Sequence, residues 1–239
     1  MVTNTDILHF AFKSNRFTRK ELIGYLENQH QTVSSNAVSI QLNRLVKNHE
    51  LIRLERGVYG LPKSSQTTFV GTINEEMKQL SQKIKQGFPF IEYCVWSSQD
   101  ILPFMHHVPN LNYIYVDVER EVAESVFDLL NNNQVKRMFL CPNRNEFNRY
   151  IVGTEAIIVR TLVSEAPLQM VSGVNIPTIE KILVDVVGDV EFDFLQGAET
   201  TYFYRNVIER HYIHRSKLLR YATRRGRRTE VEQFINNAV

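Results

Sequence analysis

The stretch Leu51-Ile-Arg-Leu-Glu-Arg-Gly-Val-Tyr-Gly-Leu-Pro62 constrains the chain most. Apolar and polar residues alternate along it around a glycine-containing turn, the pattern of two short strands folded into a β-hairpin. Three segments of helical pattern lead into it. Asn4 to Ser14 carries Ile7, Leu8, Ala11 and Phe12 on one stripe, as an amphipathic helix does. Thr18-Arg19-Lys20-Glu21 has the form of a capping box, so a second helix starts there and runs to about Asn28. After a polar turn, Ser34 or Ser35 caps a third helix through about Asn48.

Three short helices followed at once by a hairpin predict a winged helix-turn-helix over residues 1–62, with helix three in the DNA major groove. A step of about 100° per residue puts Val38, Leu42, Leu45 and Val46 of that helix on one face. Asn36, Ile40, Asn43, Arg44 and Lys47 fall on the other, next to Ser35 at the helix start. Amide side chains pair with adenine edges, Arg with guanine or phosphate, Lys with phosphate, and an exposed Ile suits a thymine methyl. Arg53 and Arg56 in the wing are placed to meet the DNA backbone. A solvated helix face with one stray apolar residue explains the same letters, and winged helices also serve as protein-interaction modules.

With 239 residues the chain has room for a second domain. Lys63 to Thr68 is polar and Ser/Thr-rich, which sets a linker at 63–72 before a domain at 73–239. There, Ile73 to Gly87 has helical spacing. Strand-like and helical runs then alternate: Ile91 to Trp96, Ile101 to His106, Tyr113 to Val118, Val122 to Leu130, Arg137 to Cys141 and Ala156 to Leu162. Helices over Ile179 to Val187, Glu199 to His211, Ser216 to Arg225 and Glu230 to Asn237 close the chain. The expected class is mixed α+β and α/β, a winged helix joined to a larger α/β domain that ends in helices.

Four stretches carry a family resemblance: Leu54 to Pro62, Leu162-Val-Ser-Glu-Ala-Pro-Leu-Gln169, Ile176-Pro-Thr-Ile-Glu-Lys-Ile-Leu-Val-Asp185 and Leu218 to Gly226. Together they resemble a divergent branch of the AbiEi family of type IV antitoxins. The resemblance implies an antitoxin of a phage-defence operon, whose winged helix binds operator DNA and represses the shared promoter. Its second domain would counteract a nucleotidyltransferase-like AbiEii toxin, with or without touching it. Binding of repeated half-sites would make a homo-oligomer on DNA plausible.

Charge is distributed unevenly. Between Arg205 and Arg228 nine basic residues face one acid, Glu209, although the whole chain carries only +2. Arg215, Lys217, Arg220, Arg224, Arg225, Arg227 and Arg228 are interleaved with Tyr212 and Tyr221, with Tyr202 and Tyr204 just before them. Arginine with aromatic faces suits nucleic acid, and the segment is a candidate surface for nucleic acid or for the antitoxin's work. A basic helix pair with its tyrosines packed inward is the alternative. Gly226 is placed to end the helix in a left-handed cap.

No catalytic constellation emerges. Glu180, Lys181 and Asp185 could in principle serve a nuclease-like metal site, but Glu180 and Asp185 stand roughly 140° apart around a helix. That leaves a structural helix burying Ile179, Ile182, Leu183 and Val186. His106-His107 and His211-x-x-His214 lack the spacing of common zinc sites. Ser97-Ser98 lacks a nucleophile elbow, no glycine-rich phosphate loop occurs, and no cofactor is expected. Cys94 and Cys141 lie in apolar runs and read as reduced core residues. With no apolar run of roughly 20 residues and no secretory start, the expected location is the cytoplasm.

Overall fold

Thr18 and Glu21 cap a helix as their spacing predicts: the Thr18 backbone N–H donates to Glu21 Oε2 at 2.6 Å, and the Glu21 N–H to Thr18 Oγ1 at 3.2 Å. The computed structural model describes residues 3–14, 16–29, 33–48, 50–62, 66–132 and 136–238. It is of mixed α/β class and divides into two units, Met1–Thr68 with Glu209–Ser216, and Phe69–Ile208 with Lys217–Val239. Among the described residues no helix is long and apolar enough to cross a membrane.

The first unit runs α1 (Asn4–Ser14), β1 (Arg16–Thr18), α2 (Arg19–Gln29), α3 (Ser35–Lys47), β2 (Ile52–Glu55) and β3 (Val58–Gly60). The polar turn expected before α3 falls at residues 30–32, outside the described residues. Ser34 caps α3, its Oγ accepting from the Ala37 N–H at 3.4 Å. Gly57 turns the hairpin at φ 78°, a conformation that costs other residues more. The unanticipated element is β1, three residues whose register against β3 (Arg16 opposite Gly60, Thr18 opposite Val58) makes an antiparallel sheet in the order β1-β3-β2. Ile7, Ala11, Phe17, Leu22, Leu26, Val38, Leu42, Leu45, Leu51 and Tyr59 form one core beneath these elements. Each fully buried Leu or Ile there contributes about 1.5–3 kcal/mol.

The expected linker at 63–72 lies partly outside the described residues, at 63–65. Beyond it Thr67 bridges to the returning segment, its N–H donating to the Arg210 carbonyl at 2.9 Å and its carbonyl accepting from Tyr212 at 3.1 Å. The first unit is therefore built from two stretches of sequence.

The second unit contains α4 (Glu75–Gly87), β4 (Tyr93–Ser97), β5 (Asn112–Val118), α5 (Ala123–Asn131), β6 (Arg137–Leu140), α6 (Arg144–Glu146) running into a π-helical turn (Phe147–Ile151), and β7 (Glu155–Thr161). A hairpin of β8 (Leu168–Val171) and β9 (Val174–Pro177) follows, then α7 (Ile179–Gly188), α8 (Ala198–Arg210), α9 (Arg215–Arg224) and α10 (Arg228–Ala238). The Ile101–His106 run begins in tight 3-10 turns around Pro103, since proline cannot donate to a ladder.

Strands β4, β5, β7 and β6 form one sheet in that order; β4 is antiparallel to β5, while β5, β7 and β6 are parallel. Side chains alternate along each strand. Ile114, Val116, Val118, Ile157 and Val159 accordingly share one core with Met77, Leu80 and Ile84 of α4 and Val126 and Leu130 of α5. The opposite face of β5 carries Tyr113, Tyr115 and Asp117. Register sets Cys94 of β4 and Arg160 of β7 beside Asp117, a polar row across three strands.

Candidate functional site

Two sites follow, one in each unit. On α3, burial of Val38, Leu42 and Leu45 turns Asn36, Asn43, Arg44 and Lys47 outward and leaves Ile40 69% exposed. Ser35 is exposed, but Arg19 of α2 holds it, one guanidinium nitrogen donating to Ser35 Oγ at 2.5 Å and to its carbonyl at 2.8 Å. Arg56 is exposed in the hairpin turn. Arg53 is half-buried at an irregularity in β2, and its Nε is buried without a hydrogen-bond partner among the described residues.

The basic C-terminal segment is largely paired. Arg220 lies 3.5 Å from Glu165, which also binds Arg224; Arg227 lies 3.0 Å from Glu230 and Arg228 3.1 Å from Glu232. Arg215 and Lys217 also have partners. Tyr204 and Tyr221 pack inward, whereas Tyr202 is 39% exposed. Gly226 adopts φ 67°, and the Arg227 N–H reaches the Ala222 carbonyl at 2.8 Å, so α9 ends in a left-handed cap. Arg225 departs from the expected surface: it turns inward and pairs with Asp189.

That contact belongs to a buried ionic cluster on the second face of the sheet. Asp117 accepts from Arg160 Nε at 2.7 Å and Nη2 at 3.0 Å, Lys181 Nζ at 2.6 Å, Trp96 Nε1 at 3.1 Å and Cys94 Sγ at 3.4 Å. Lys181 also donates to Asp185, one helical turn on, at 2.6 Å. Tyr221 of α9 donates to Asp185 at 3.1 Å. Arg160 lies over the Tyr115 ring at 4.4 Å and reaches Asp189 at 3.4 Å and Glu191 at 4.0 Å. Ion pairs in so dry a setting need this density of bonds, because removing charge from water costs several kcal/mol per ion.

The electrostatics follow from the packing. Burial by itself would raise the Asp117 carboxyl, but Arg160 and Lys181 more than offset it and hold the group well below the ordinary carboxylate range. Burial works against the charged forms of Lys181 and Arg160, yet the facing carboxylates keep both firmly protonated. Asp189 goes the other way. Burial and the nearby Asp185 push it up to about 6 against the pull of Arg160 and Arg225. A cavity of about 250 Å³ opens on the cluster, lined in part by Asp117, Arg160, Lys181, Asp189, Glu191 and Arg225.

The sequence reading placed Lys181 and Asp185 on a motif helix but missed Asp117, Arg160, Asp189 and Glu191. Period-two alternation in β5 and β7 was the signal available, since it sets Asp117 and Arg160 on a face of otherwise apolar residues. Glu180 does not join Asp185; it accepts from the Thr178 hydroxyl at 2.5 Å. Charged residues of α7 are buried with the apolar ones, so the helix has no solvent face over Ile179–Val186. Cys94 is buried as expected, but Cys141 is exposed, because the chain leaves β6 there with φ 42°. His107 lies 3.1 Å from Glu199, and His211 lies beside Thr67. Among the described residues no three His, Cys, Asp or Glu side chains are placed to hold a metal ion.

Fold and site together define a two-unit, mixed α/β chain with an open polar helix face in one unit and a buried ionic cavity in the other. The chain belongs to the family of unknown function DUF6577, whose model matches residues 37–239. That match begins inside α3 and takes in the hairpin and the whole second unit. A search of curated proteins finds no match.

Proposed function

We propose that this chain is a non-enzymatic regulator that binds duplex DNA through a winged helix in its first unit. The observation that carries the reading is the face of α3, where Asn36, Asn43, Arg44, Lys47 and the 69%-exposed Ile40 point away from the core. Amides and arginine read base edges, lysine neutralises phosphate, and an apolar side chain in open water is accounted for by a thymine methyl. The three helices and the hairpin after α3 support this assignment, with Arg56 at the wing tip placed for the backbone. Arg19, fastened to Ser35, would fix the N-terminal end of α3, the end that contacts bases in helix-turn-helix proteins.

The motifs shared with AbiEi antitoxins extend the proposal: a cytoplasmic autorepressor whose second unit counteracts a nucleotidyltransferase-like toxin. The test is a reporter driven by DNA upstream of the gene. Co-expression of the full chain is expected to lower reporter output, and an Asn43→Ala/Lys47→Ala variant to restore it. Unchanged output with the wild-type chain would leave the α3 face as a protein-interaction surface instead. For the antitoxin part, co-expression with the neighbouring gene is expected to relieve growth arrest; persistent arrest would remove that part alone.

A further inference from the structure

Within the ionic cluster, Glu191 stands out. It is 5% exposed and lines the cavity, and among the described residues its carboxylate has no hydrogen bond, only Arg160 at 4.0 Å. The neighbouring carboxylates are better served: Asp117 and Asp185 accept short bonds from Lys181, and Asp189 binds Arg160 and Arg225. The Glu191 oxygens are not sealed from solvent but open onto the cavity, where a donor entering from outside can reach them.

Charge points the same way. Four carboxylates (Asp117, Asp185, Asp189 and Glu191) face three cations (Arg160, Lys181 and Arg225) in the lining. Arg227, beside Gly188 of the lining, is itself paired with Glu230. Cys141, Pro142, Thr161, Gly188, Val190 and Tyr221 complete the lining. The cavity is thus one positive charge short and offers unused acceptor atoms. An anionic ligand would meet cations already facing carboxylates. At about 250 Å³ the space falls below the roughly 300–1,000 Å³ of pockets for drug-sized ligands, and suits a group the size of one side chain.

We propose that this cavity binds a small organic cation with N–H donors, an alkylammonium or guanidinium group, held by the carboxylates of Glu191 and Asp189. Bound there, the cation supplies the hydrogen bonds that Glu191 lacks and brings the cluster to neutrality. A proton on Asp189 competes with it, since burial first, and then the neighbouring carboxylates of Asp185 and Glu191, raise the pKa of that group.

Calorimetric titration of the full chain at pH 7.5 tests the site, with methylguanidinium and n-butylammonium chlorides as probes. Tetramethylammonium and magnesium chlorides at equal ionic strength serve as comparisons. The expected result is one saturable site for the first two and none for tetramethylammonium, which has no N–H. Affinity is expected to fall at pH 5, and Glu191→Gln to weaken binding by roughly tenfold or more. Thr161→Phe, at an exposed position of the lining, places a larger side chain at the cavity and is expected to abolish binding, so the test stands even if Glu191→Gln does not fold. Tighter binding of an Ala-Arg-Ala peptide than of methylguanidinium would assign the site to a protein side chain; equal or weaker binding would assign it to a free small molecule. Absence of saturable binding, equal binding of tetramethylammonium, binding of magnesium alone, or affinity unchanged in both variants would overturn the proposal.

Discussion

Lys181 Nζ lies 2.6 Å from a carboxylate oxygen of Asp117, a residue 64 positions earlier in the chain, and both side chains are 2% exposed. The bond ties α7 to the centre of the four-stranded sheet where apolar packing would ordinarily do so. Such a tie is directional: it fixes the depth of the helix over β5, whereas apolar contacts tolerate sliding.

Lys181→Met removes the ammonium and leaves Asp117 buried beside Arg160, and Asp185 with only the more distant Arg160 and Arg225, each at 3.8 Å. Chemical denaturation is expected to show a loss of about 3–5 kcal/mol, the cost of breaking a buried pair from one side. By contrast, Glu55→Gln at the exposed Arg16–Glu55 pair, 62% and 45% exposed, is expected to cost under about 1 kcal/mol. Similar losses for the two variants would mean that the cluster is not dry.

Asp189 gives stability a distinct pH dependence. Its folded pKa, about 6, lies above the ordinary 3.8, so its protonated form favours the fold. That contribution is complete below about pH 3.8 and is lost as pH rises through 6. Asp189→Asn cannot lose it. Relative to wild type, the variant is expected to gain stability steadily from pH 4 to pH 7, read as the difference between two denaturation series. A constant difference across that range would show that Asp189 titrates normally.

Two glycines separate backbone conformation from space. Gly24, exposed within α2, has nothing within 4 Å of where a Cβ would sit, so Gly24→Ala is expected to stabilise by about 0.5–1 kcal/mol. Gly226 has equally open surroundings but φ 67°, and Gly226→Ala is expected to destabilise by about 1–2 kcal/mol. Thermal midpoints should therefore move in opposite directions. A shared direction would contradict the assigned cap.

Local signals account for what the sequence revealed. Capping residues placed the starts of α2 and α3, and periodicity separated Val38, Leu42 and Leu45 from the polar face of α3. Elements without a period of their own were lost. Strand β1 has three residues and exists only because β3 pairs with it; β8 and β9 hide in a motif stretch, although Ser172-Gly173 at φ 47° and 80° supplies a two-residue turn. The ionic cluster was out of reach for another reason. Its members lie on β5, β7, α7, α9 and the turn after α7, and only tertiary register makes neighbours of Asp117, Arg160 and Arg225. Charge counting along the chain even pointed away from it, by grouping Arg225 with residues that face outward.

The most direct test of the account is equilibrium binding of the full chain to labelled DNA from upstream of its gene, against scrambled duplex, across a salt series. Wild type is expected to prefer the upstream DNA, with affinity falling as salt rises. Lys47→Ala should weaken binding to both duplexes and reduce the salt slope by roughly one, while Asn43→Ala should lower affinity for the upstream DNA and narrow the preference. Equal affinity of the wild-type chain for the two duplexes, or variants that bind as it does, would contradict the assignment of α3 as the reading helix.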